Sequence, residues 1–333
     1  MELIEILEAL NRTHGPSGDE GGIRGKIEEL ARPFADEIVT DTLGNLIVHK
    51  KGAGPWMMLA AHMDSIGFIV THIEKEGFLR VGRLGGISPK EAAYAPVRFK
   101  NGVQGVFVPE EKADFGKLKL DECFIDIGAA DEAEAKTLVQ VGDTGVYDGP
   151  VRVRGSRVTA PYLDDRLACA VLLCALERIK EPAYNLSLVF TVQEEVGLRG
   201  ARTAAWWVDP DICVVVDVTD VDDTPGSEKN GTARLGGGAA IKVMDSSVIC
   251  HPQVVAKLEE IAKSQSIPIQ RDIMRSGGTD AGAIQNAHYG VKTGGISIPC
   301  RYVHTPAETA DLEDARACVR LAAALIQAEA PCP

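Results

Sequence analysis

Two adjacent carboxylates, Glu194 and Glu195, follow closely on an apolar, β-branched run at residues 186–192 and precede Gly197 and Gly200. The run predicts a buried strand and the glycines predict a turn, so both acids would leave the strand at its carboxyl end. Ligands of open α/β sheets bind in the crevice outside the carboxyl ends of the strands. The acids are therefore positioned for chemistry, although a solvated loop with two surface acids would give the same pattern.

Other side chains that can bind a metal ion follow other predicted strands of the chain. They are His62 after a strand at 57–61, Asp217 after a strand at 212–216, and His304, five residues beyond a strand at 295–299. Taken singly, each has an ordinary alternative as a turn acid or a loop histidine. Because parallel strands end at one edge of a sheet, the three residues together predict a common site.

The start of a long apolar helix supplies two further acids, Asp164 and Asp165, which are expected to be its N-cap and first-turn acids. A helix cap alone would explain them. Beside the strand ends, however, Asp164 contributes to a set of two imidazoles and three carboxylates: His62, Asp164, Glu195, Asp217 and His304. This donor set suits two divalent first-row ions with one carboxylate bridging them, whereas a single zinc would use fewer ligands.

Two acids next to the predicted ligands have roles in catalysis that do not require metal binding. Asp64 lies two residues beyond His62 on the same side of an extended chain, so it could accept the second ring N–H of His62. Glu194 would be uncoordinated beside Glu195 and free to take a proton from an activated water. We therefore expect Asp64 and Glu194 to be catalytic rather than metal-binding residues.

Length and composition indicate a protein of two domains. The 333 residues exceed the ~250–300 at which a single hydrophobic core usually stops growing. The 48 acidic and 35 basic residues give a net charge of −13, which disfavours binding to nucleic acid or to an anionic membrane. No apolar run approaches the ~20 residues needed to span a bilayer. The eight cysteines form no CxxC pair and are expected to be reduced core residues of a cytoplasmic protein.

Helices and strands alternate at both ends of the chain, but the middle is almost entirely strand. Between residues 68 and 159 we find one short helical candidate, at 132–137, and a hairpin whose strands meet at Asn101-Gly102. A further short strand is expected at 151–153. The predicted fold is therefore α/β: residues 1–67 and 160–333 form a mixed-sheet domain with helices on both faces, interrupted by an inserted small β-barrel-like domain at 68–159.

Seven stretches in order along nearly the whole chain carry a specific resemblance. They are residues 61–67 (AHMDSIG), 163–166 (LDDR), 193–200 (QEEVGLRG), 216–219 (VDVT), 223–226 (DTPG), 276–281 (SGGTDA) and 301–306 (RYVHTP). These stretches resemble the tetrahedral (TET) aminopeptidases, a family of dinuclear-metal peptidases. The family includes glutamyl and deblocking aminopeptidases, and its members are often labelled endoglucanase-like.

The resemblance implies a division of the ligands between two metal positions. Asp164 would bridge the ions, His62 and Asp217 would complete one position, and Glu195 and His304 would complete the other. Each subunit would hold two divalent ions, zinc or cobalt, with manganese also compatible with these ligands.

The resemblance also implies the activity and the assembly. Glu194 would be the general base of an aminopeptidase that removes N-terminal residues from peptides by means of a metal-activated water. The peptidase domain would be split around a β dimerisation domain. Dimers would assemble into a homo-oligomer, a twelve-subunit tetrahedral shell with inward-facing active sites.

Two departures from the family pattern lie next to inferred ligands. Family members often carry an acid where this chain has Ser65 and a histidine where it has Asp220. These two departures could change the substrate pocket and the metal affinity more than the type of reaction.

Two functions of other classes stay as alternatives. A glycoside hydrolase of the endoglucanase type would use Glu194 and a second carboxylate, but it would leave His62 and His304 without a role. A non-catalytic peptide-binding or scaffold protein would keep the fold without any turnover.

Overall fold

The computed structural model describes residues 2–228 and 231–328 of the chain. Its helices are α1 (Leu3–Arg12), α2 (Gly21–Ala31), α3 (Pro89–Ala92), α4 (Glu132–Leu138), α5 (Leu163–Arg178), α6 (Arg199–Val208), α7 (Pro252–Ser264), α8 (Ala281–Ile284) and α9 (Leu312–Gln327). Its strands are β1 (Glu37–Thr40), β2 (Leu46–Lys50), β3 (Trp56–His62), β4 (Gly67–Ile73), β5 (Leu79–Leu84), β6 (Pro96–Phe99), β7 (Gln104–Pro109), β8 (Cys123–Asp126), β9 (Thr144–Tyr147), β10 (Arg152–Arg154), β11 (Arg157–Ala160), β12 (Asn185–Thr191), β13 (Ile212–Asp220), β14 (Ala239–Met244), β15 (Ile269–Ile273), β16 (Lys292–Arg301) and β17 (Glu308–Asp311). Among these described residues, no helix is long and apolar enough to cross a bilayer.

An eleven-stranded mixed sheet forms the larger layer of the molecule. Its order is β1-β2-β12-β3-β13-β16-β17-β11-β10, and β14 pairs with both β16 and β15. The four central strands β12, β3, β13 and β16 are parallel to one another. Parallel strands are usually covered on both faces, and their near-continuous apolar sequences agree with this.

Alternate residues of the central strands pack on opposite faces of the sheet. On β3, Leu59 joins a core with α1, α5 and α9, whereas Met58 and Ala60 join a second core with α6 and α8. This alternation is the period of two expected of a strand. The predicted α/β fold with helices on both faces is therefore confirmed.

Six antiparallel strands, β4-β5-β8-β7-β6-β9, close into a small barrel with a core of its own. The predicted hairpin at Asn101-Gly102 is present, but its turn has three residues rather than two. Phe99 N–H donates to the carbonyl of Val103 at 2.8 Å, and Gly102 has a φ of +91°. The extra residue fits because glycine enters the left-handed region without a steric penalty.

The expected strand at 151–153 does not belong to the barrel. Its counterpart β10 pairs with β11, which pairs in turn with β17 of the large sheet. The last strand of the barrel ends at Tyr147. The apolar pattern at 151–153 predicted a strand but not the sheet that the strand would join.

Strands β14 and β15 were not predicted. Lys242 and Asp272 interrupt their apolar patterns. The structure shows how the strands accommodate these two charges: the side chains form an ion pair at 2.7 Å between the strands and are 2% exposed.

The described cysteines confirm the expectation that they are reduced residues of the core. Every cysteine in the described ranges is a free, buried thiol, and Cys332 lies outside the described residues.

Candidate metal centre

The candidate ligands gather at the carboxyl edge of the four parallel strands. His62 is the last residue of β3, Glu195 follows β12 by four residues, and His304 follows β16 by three. Asp217 was expected to end its strand, but β13 continues to Asp220 because residues 217–220 remain paired with β16. Asp217 therefore points into the site from within a strand rather than from a loop.

Asp164 lies between the two imidazoles. Its Oδ1 is 2.9 Å from Nε2 of His62, and its Oδ2 is 3.4 Å from Nε2 of His304. Nε2 of His304 is also 3.0 Å from Oε2 of Glu195. One carboxylate thus presents a different oxygen to each imidazole, which is the arrangement that a bridging ligand requires.

A second group of possible ligand atoms also includes His62. It consists of His62, Asp165 and Asp217, whose ligand atoms lie within 4.8 Å of one another. The sequence predicted Asp165 only as a first-turn acid, and the two consecutive aspartates were the only signal that it could have a further role. Asp165 is fully buried, and its Oδ2 accepts the backbone N–H of His62 at 3.3 Å.

The expectation that Asp164 is the N-cap of the helix is wrong, whereas Asp165 lies in the first turn as expected. Both have non-helical backbone angles, and the N-cap position of α5 belongs to Tyr162, without a side-chain cap bond. The two carboxylates are therefore turned towards the strand ends instead of the helix N–H groups.

Asp64 holds the turn that carries the two glutamates. Its carboxylate accepts the backbone N–H groups of Glu194 at 3.0 Å and Glu195 at 3.4 Å, and the hydroxyl of Ser17 donates to it at 2.6 Å. Nδ1 of His62 lies 3.1 Å from the backbone carbonyl of Asp64 and 3.6 Å from its carboxylate. The predicted contact with His62 is thus made mainly by the backbone of Asp64.

Burial shapes the protonation of the carboxyl groups at the centre. It is the largest cause that raises the pKa values of Asp165, Glu194, Glu195 and Asp217, and repulsion by neighbouring carboxylates adds to it. Asp164 differs: burial would raise its pKa, but hydrogen bonds from His304 and His62 lower it. The centre therefore contains more carboxyl groups than its two imidazoles could balance if all of them were ionised.

Burial has the opposite effect on the pKa values of the two imidazoles. Burial acts to lower the pKa of His304, but its hydrogen bonds to Asp164 and Glu195 outweigh burial and raise that pKa to about 12. Burial likewise opposes protonation of His62, whose pKa is nevertheless raised by Asp164 and Asp64. Neighbouring carboxylates thus favour positive charge at both rings, and bound divalent ions would supply that positive charge instead.

Two buried carboxylate oxygens fit a metal site particularly well. Oε1 of Glu195 and Oδ1 of Asp165 have no hydrogen-bond partner within the described part of the chain. A buried carboxylate oxygen without a donor is costly, and coordination to a cation would satisfy it. The residues present therefore fit a centre of divalent ions.

Glu308 was not among the predicted site residues, yet it contacts the backbone on both sides of the centre. Its Oε2 accepts the N–H of Asp164 at 2.8 Å, and its Oε1 accepts the N–H of His304 at 2.9 Å. The only sequence signal was an acid four residues after His304.

A loop of the barrel forms one wall of the centre. A Cβ atom placed on Gly86 would lie 2.5 Å from Nδ1 of His304, and one on Gly85 would lie 3.0 Å from Cβ of Glu195. Only glycine at positions 85 and 86 leaves room for these two side chains. The loop of the barrel therefore helps to determine the shape of the site.

The two departures noted in the sequence lie in different surroundings. Ser65 is buried, and its N–H donates to the carbonyl of Gly15 at 3.2 Å. Asp220 ends β13 and lines a cavity of about 230 Å³ together with Met274 and Arg275. Partial burial and the nearby Asp164 raise the pKa of Asp220 to about 6.

Comparisons with known proteins show the family to which the chain belongs. Residues 44–321 match the family described as M42 glutamyl aminopeptidase. The chain belongs to this family. A protein of Acetivibrio thermocellus, provisionally named an aminopeptidase, is 46% identical over 321 residues, covering 96% of this chain and 97% of its own. The lysyl aminopeptidase of Pyrococcus furiosus is 36% identical over 337 residues, covering 97% and 96%.

Solved structures of similar chains share the fold. An aminopeptidase from the archaeon Desulfurococcus kamchatkensis is 38% identical with a TM-score of 0.94, covering 98% of this chain and 94% of its own. The TET1 peptidase of Pyrococcus horikoshii, which can assemble into a tetrahedron or a large octahedral shell, is 32% identical with a TM-score of 0.89, covering 98% and 99%. A Thermotoga maritima protein called an endoglucanase is 31% identical with a TM-score of 0.83, covering 96% of each chain.

These similarities confirm the resemblance to TET aminopeptidases, including the endoglucanase label that some relatives carry. This M42 family member is a hydrolase of the peptidase class, which decides against the glycosidase and the non-catalytic scaffold.

Proposed function

We propose that this M42 family member is an aminopeptidase that uses two divalent metal ions to remove N-terminal residues from peptides. The observation that carries the proposal is the position of Asp164, whose two oxygens face His62 and His304 separately. We assign Asp164 as the bridging ligand, with His62 and Asp217 completing one metal position and Glu195 and His304 completing the other. When bound, divalent ions would acidify a water and polarise the carbonyl of the scissile bond.

The chain itself supplies the proton transfers. Glu194 is held beside the ligands by the bond from its backbone N–H to Asp64. Burial raises the pKa of its carboxyl group, which makes the group a stronger base once ionised. We assign Glu194 to take a proton from the attacking water and to return it to the leaving amine, and Asp64 to fix the position of Glu194.

Metal removal tests this proposal. The protein would be treated with a chelator and assayed on a panel of aminoacyl chromogenic substrates before and after addition of zinc, cobalt or manganese. We expect activity to vanish with the chelator and to return as two ions bind per chain, and the panel to show the preferred N-terminal residue. Activity that survives complete metal removal would contradict the proposal.

The end of the peptide at which cleavage occurs needs a separate measurement. We expect mass spectrometry of an unmodified peptide digest to show stepwise loss of residues from the N-terminus. Release of C-terminal residues, or cleavage at internal bonds, would overturn the aminopeptidase assignment but leave the metal centre in place.

We also propose that the chain forms a homo-oligomer, a tetrahedral dodecamer built from dimers, with the segment at 68–159 as the dimerisation domain. The self-assembly of the similar TET1 peptidase supports this. Light scattering coupled to gel filtration should give a mass close to twelve times 35.6 kDa. A monomer at micromolar concentration would contradict it.

We place the protein in the cytoplasm. The free, buried thiols support this location, because a reducing compartment keeps cysteines in that state. Cell fractionation would test it, and recovery of the protein outside the cytoplasmic fraction would contradict it.

A further inference from the structure

Glu308 connects two segments that lead into the metal centre from strands distant in the chain. It is 1% exposed, and each of its carboxylate oxygens accepts one backbone N–H. Oε2 bonds the N–H of Asp164 at 2.8 Å, and Oε1 bonds the N–H of His304 at 2.9 Å. A single buried side chain therefore links the backbones of the assigned bridging ligand and of a terminal ligand.

The position of Glu308 is itself fixed by the large sheet. Glu308 begins β17 and is paired with Ala160, the last residue of β11. Two residues further along, Ala310 is paired with Cys300 of β16. Because β11 leads to Asp164 and β16 leads to His304, β17 and its carboxylate lie at the junction of the two segments.

Both segments also adopt backbone conformations that need external support. Tyr162, just before Asp164, has a φ of +63°, and Tyr302 and His304 have φ values of +60° and +66°. Residues other than glycine in this region are strained by about 1–3 kcal/mol each and persist when the surroundings hold them in place. The two bonds to Glu308 provide such support at the residues that carry the ligands.

We propose that Glu308 is a positioning residue that sets the separation of Asp164 and His304, and thereby the geometry of the two metal positions. This inference rests on the proposed dinuclear function. Glu308 acts through the backbone of the ligands and touches no reacting atom. Partners that orient metal ligands in this way typically contribute 10–100-fold to metal affinity or activity.

The substitution Glu308→Gln tests this role with little change of shape. An amide has one oxygen acceptor and one NH₂ donor, so it can accept only one of the two N–H groups and opposes the other. We expect the binding of one of the two ions to weaken by roughly 10–100-fold in competition with a chelator. The visible spectrum of the cobalt-loaded protein should also change, because cobalt absorption reports ligand geometry.

The chain offers a matched control in Asp314. This carboxylate is also 1% exposed and also accepts two backbone N–H groups, those of Gly236 and Gly238, both at 2.7 Å. Asp314→Asn therefore removes the same kind of interaction without touching a ligand-bearing residue. We expect it to leave metal affinity and the cobalt spectrum unchanged, even where it lowers the thermal stability.

Three results would overturn the proposal. Glu308→Gln could bind both ions with unchanged affinity and an unchanged cobalt spectrum. Asp314→Asn could weaken metal binding by the same factor. The metal-free Glu308→Gln protein could be unfolded by circular dichroism while metal-free Asp314→Asn is folded, which would make Glu308 a determinant of folding.

Measurements on the wild-type protein distinguish a failure of this inference from a failure of the proposed function. If the wild-type protein binds fewer than two ions, the dinuclear function fails, and the role of Glu308 in it fails as well. If the wild-type protein binds two ions and cleaves peptides while Glu308→Gln matches it, only the present inference fails.

Discussion

The carboxylate of Asp64 accepts the backbone N–H of Glu194 at 3.0 Å. Asp64 is fully buried, and the hydroxyl of Ser17 donates to it from the loop between α1 and α2. The acid that the sequence associated with His62 therefore holds the turn of the assigned general base. The position of Glu194 thus depends on a buried acid that lies outside its own loop.

Replacement of Asp64 should lower activity through this turn. Asp64→Asn keeps the shape but replaces one acceptor oxygen by a donor, which cannot bond a backbone N–H. We expect kcat to fall by roughly 10–100-fold with a smaller change in metal content, as for other groups that orient catalytic residues. Steady-state kinetics and metal analysis would check this, with Ser17→Ala as a milder variant. Unchanged kcat in Asp64→Asn would show that the turn does not need its charge.

Glu194→Gln should separate catalysis from metal binding. The amide retains the size of the side chain but cannot accept a proton, so we expect near-normal metal occupancy and a loss of at least ~10²-fold in rate. Glu194→Asp keeps a base at a shorter reach and should retain part of the activity. Loss of metal from Glu194→Gln would make Glu194 a ligand, and an unchanged rate would remove it from the mechanism.

Gly86→Ala should damage the metal centre from the barrel side. The added methyl group would lie 2.5 Å from Nδ1 of His304, so the imidazole has to shift from its position against Asp164 and Glu195. We expect metal affinity and activity to fall by at least roughly tenfold, as for altered ligand orientation. Equilibrium dialysis against zinc and an activity assay would measure both.

Gly25→Ala is the control for that substitution. Gly25 is an exposed residue of α2, and no atom lies within 4 Å of an added Cβ. Because alanine favours a helix by about 1 kcal/mol over glycine, this variant should be slightly more stable and fully active. Equal loss of metal in both variants would show that the contact with His304 is not responsible.

His14 should make the protein less stable in acid. Burial lowers its pKa from 6.5 to about 4, and Asp19 only partly opposes this. Between these pH values the unfolded chain binds a proton that the folded chain does not, so stability falls as pH falls through this window. One such proton changes the unfolding free energy by at most about 1.4 kcal/mol per pH unit.

The variant His14→Gln removes this proton while keeping a group that can bond Thr144, whose Oγ1 lies 2.8 Å from Nε2 of His14. Urea unfolding of the metal-free proteins at pH 7 and pH 5 would compare them. We expect the wild-type protein to lose more stability than His14→Gln between the two pH values. Equal losses would show that His14 does not control this part of the acid response.

Elements with a long, regular apolar pattern were predicted well from the sequence. The strands β3 and β12 differ from their predicted bounds by one residue at each end. Their apolar periodicity follows from burial of one or both faces of the element, and that pattern can be read from a short stretch of sequence. The strands β14 and β15 were missed because Lys242 and Asp272 satisfy each other across the pair, and that compensation is visible only in three dimensions.

By itself, the sequence determined the α/β class, the inserted barrel and the set of side chains that could bind metal, because apolar periodicity and residue chemistry are local properties. Only the tertiary structure decided which acids face the centre and what holds them there. Asp165 lies among the candidate ligand atoms as well as in the first turn of a helix, Asp64 supports Glu194, and Glu308 links Asp164 to His304. These relationships join residues that are distant in the chain, and their partners are fixed by strand pairing and burial, which no single stretch of sequence contains.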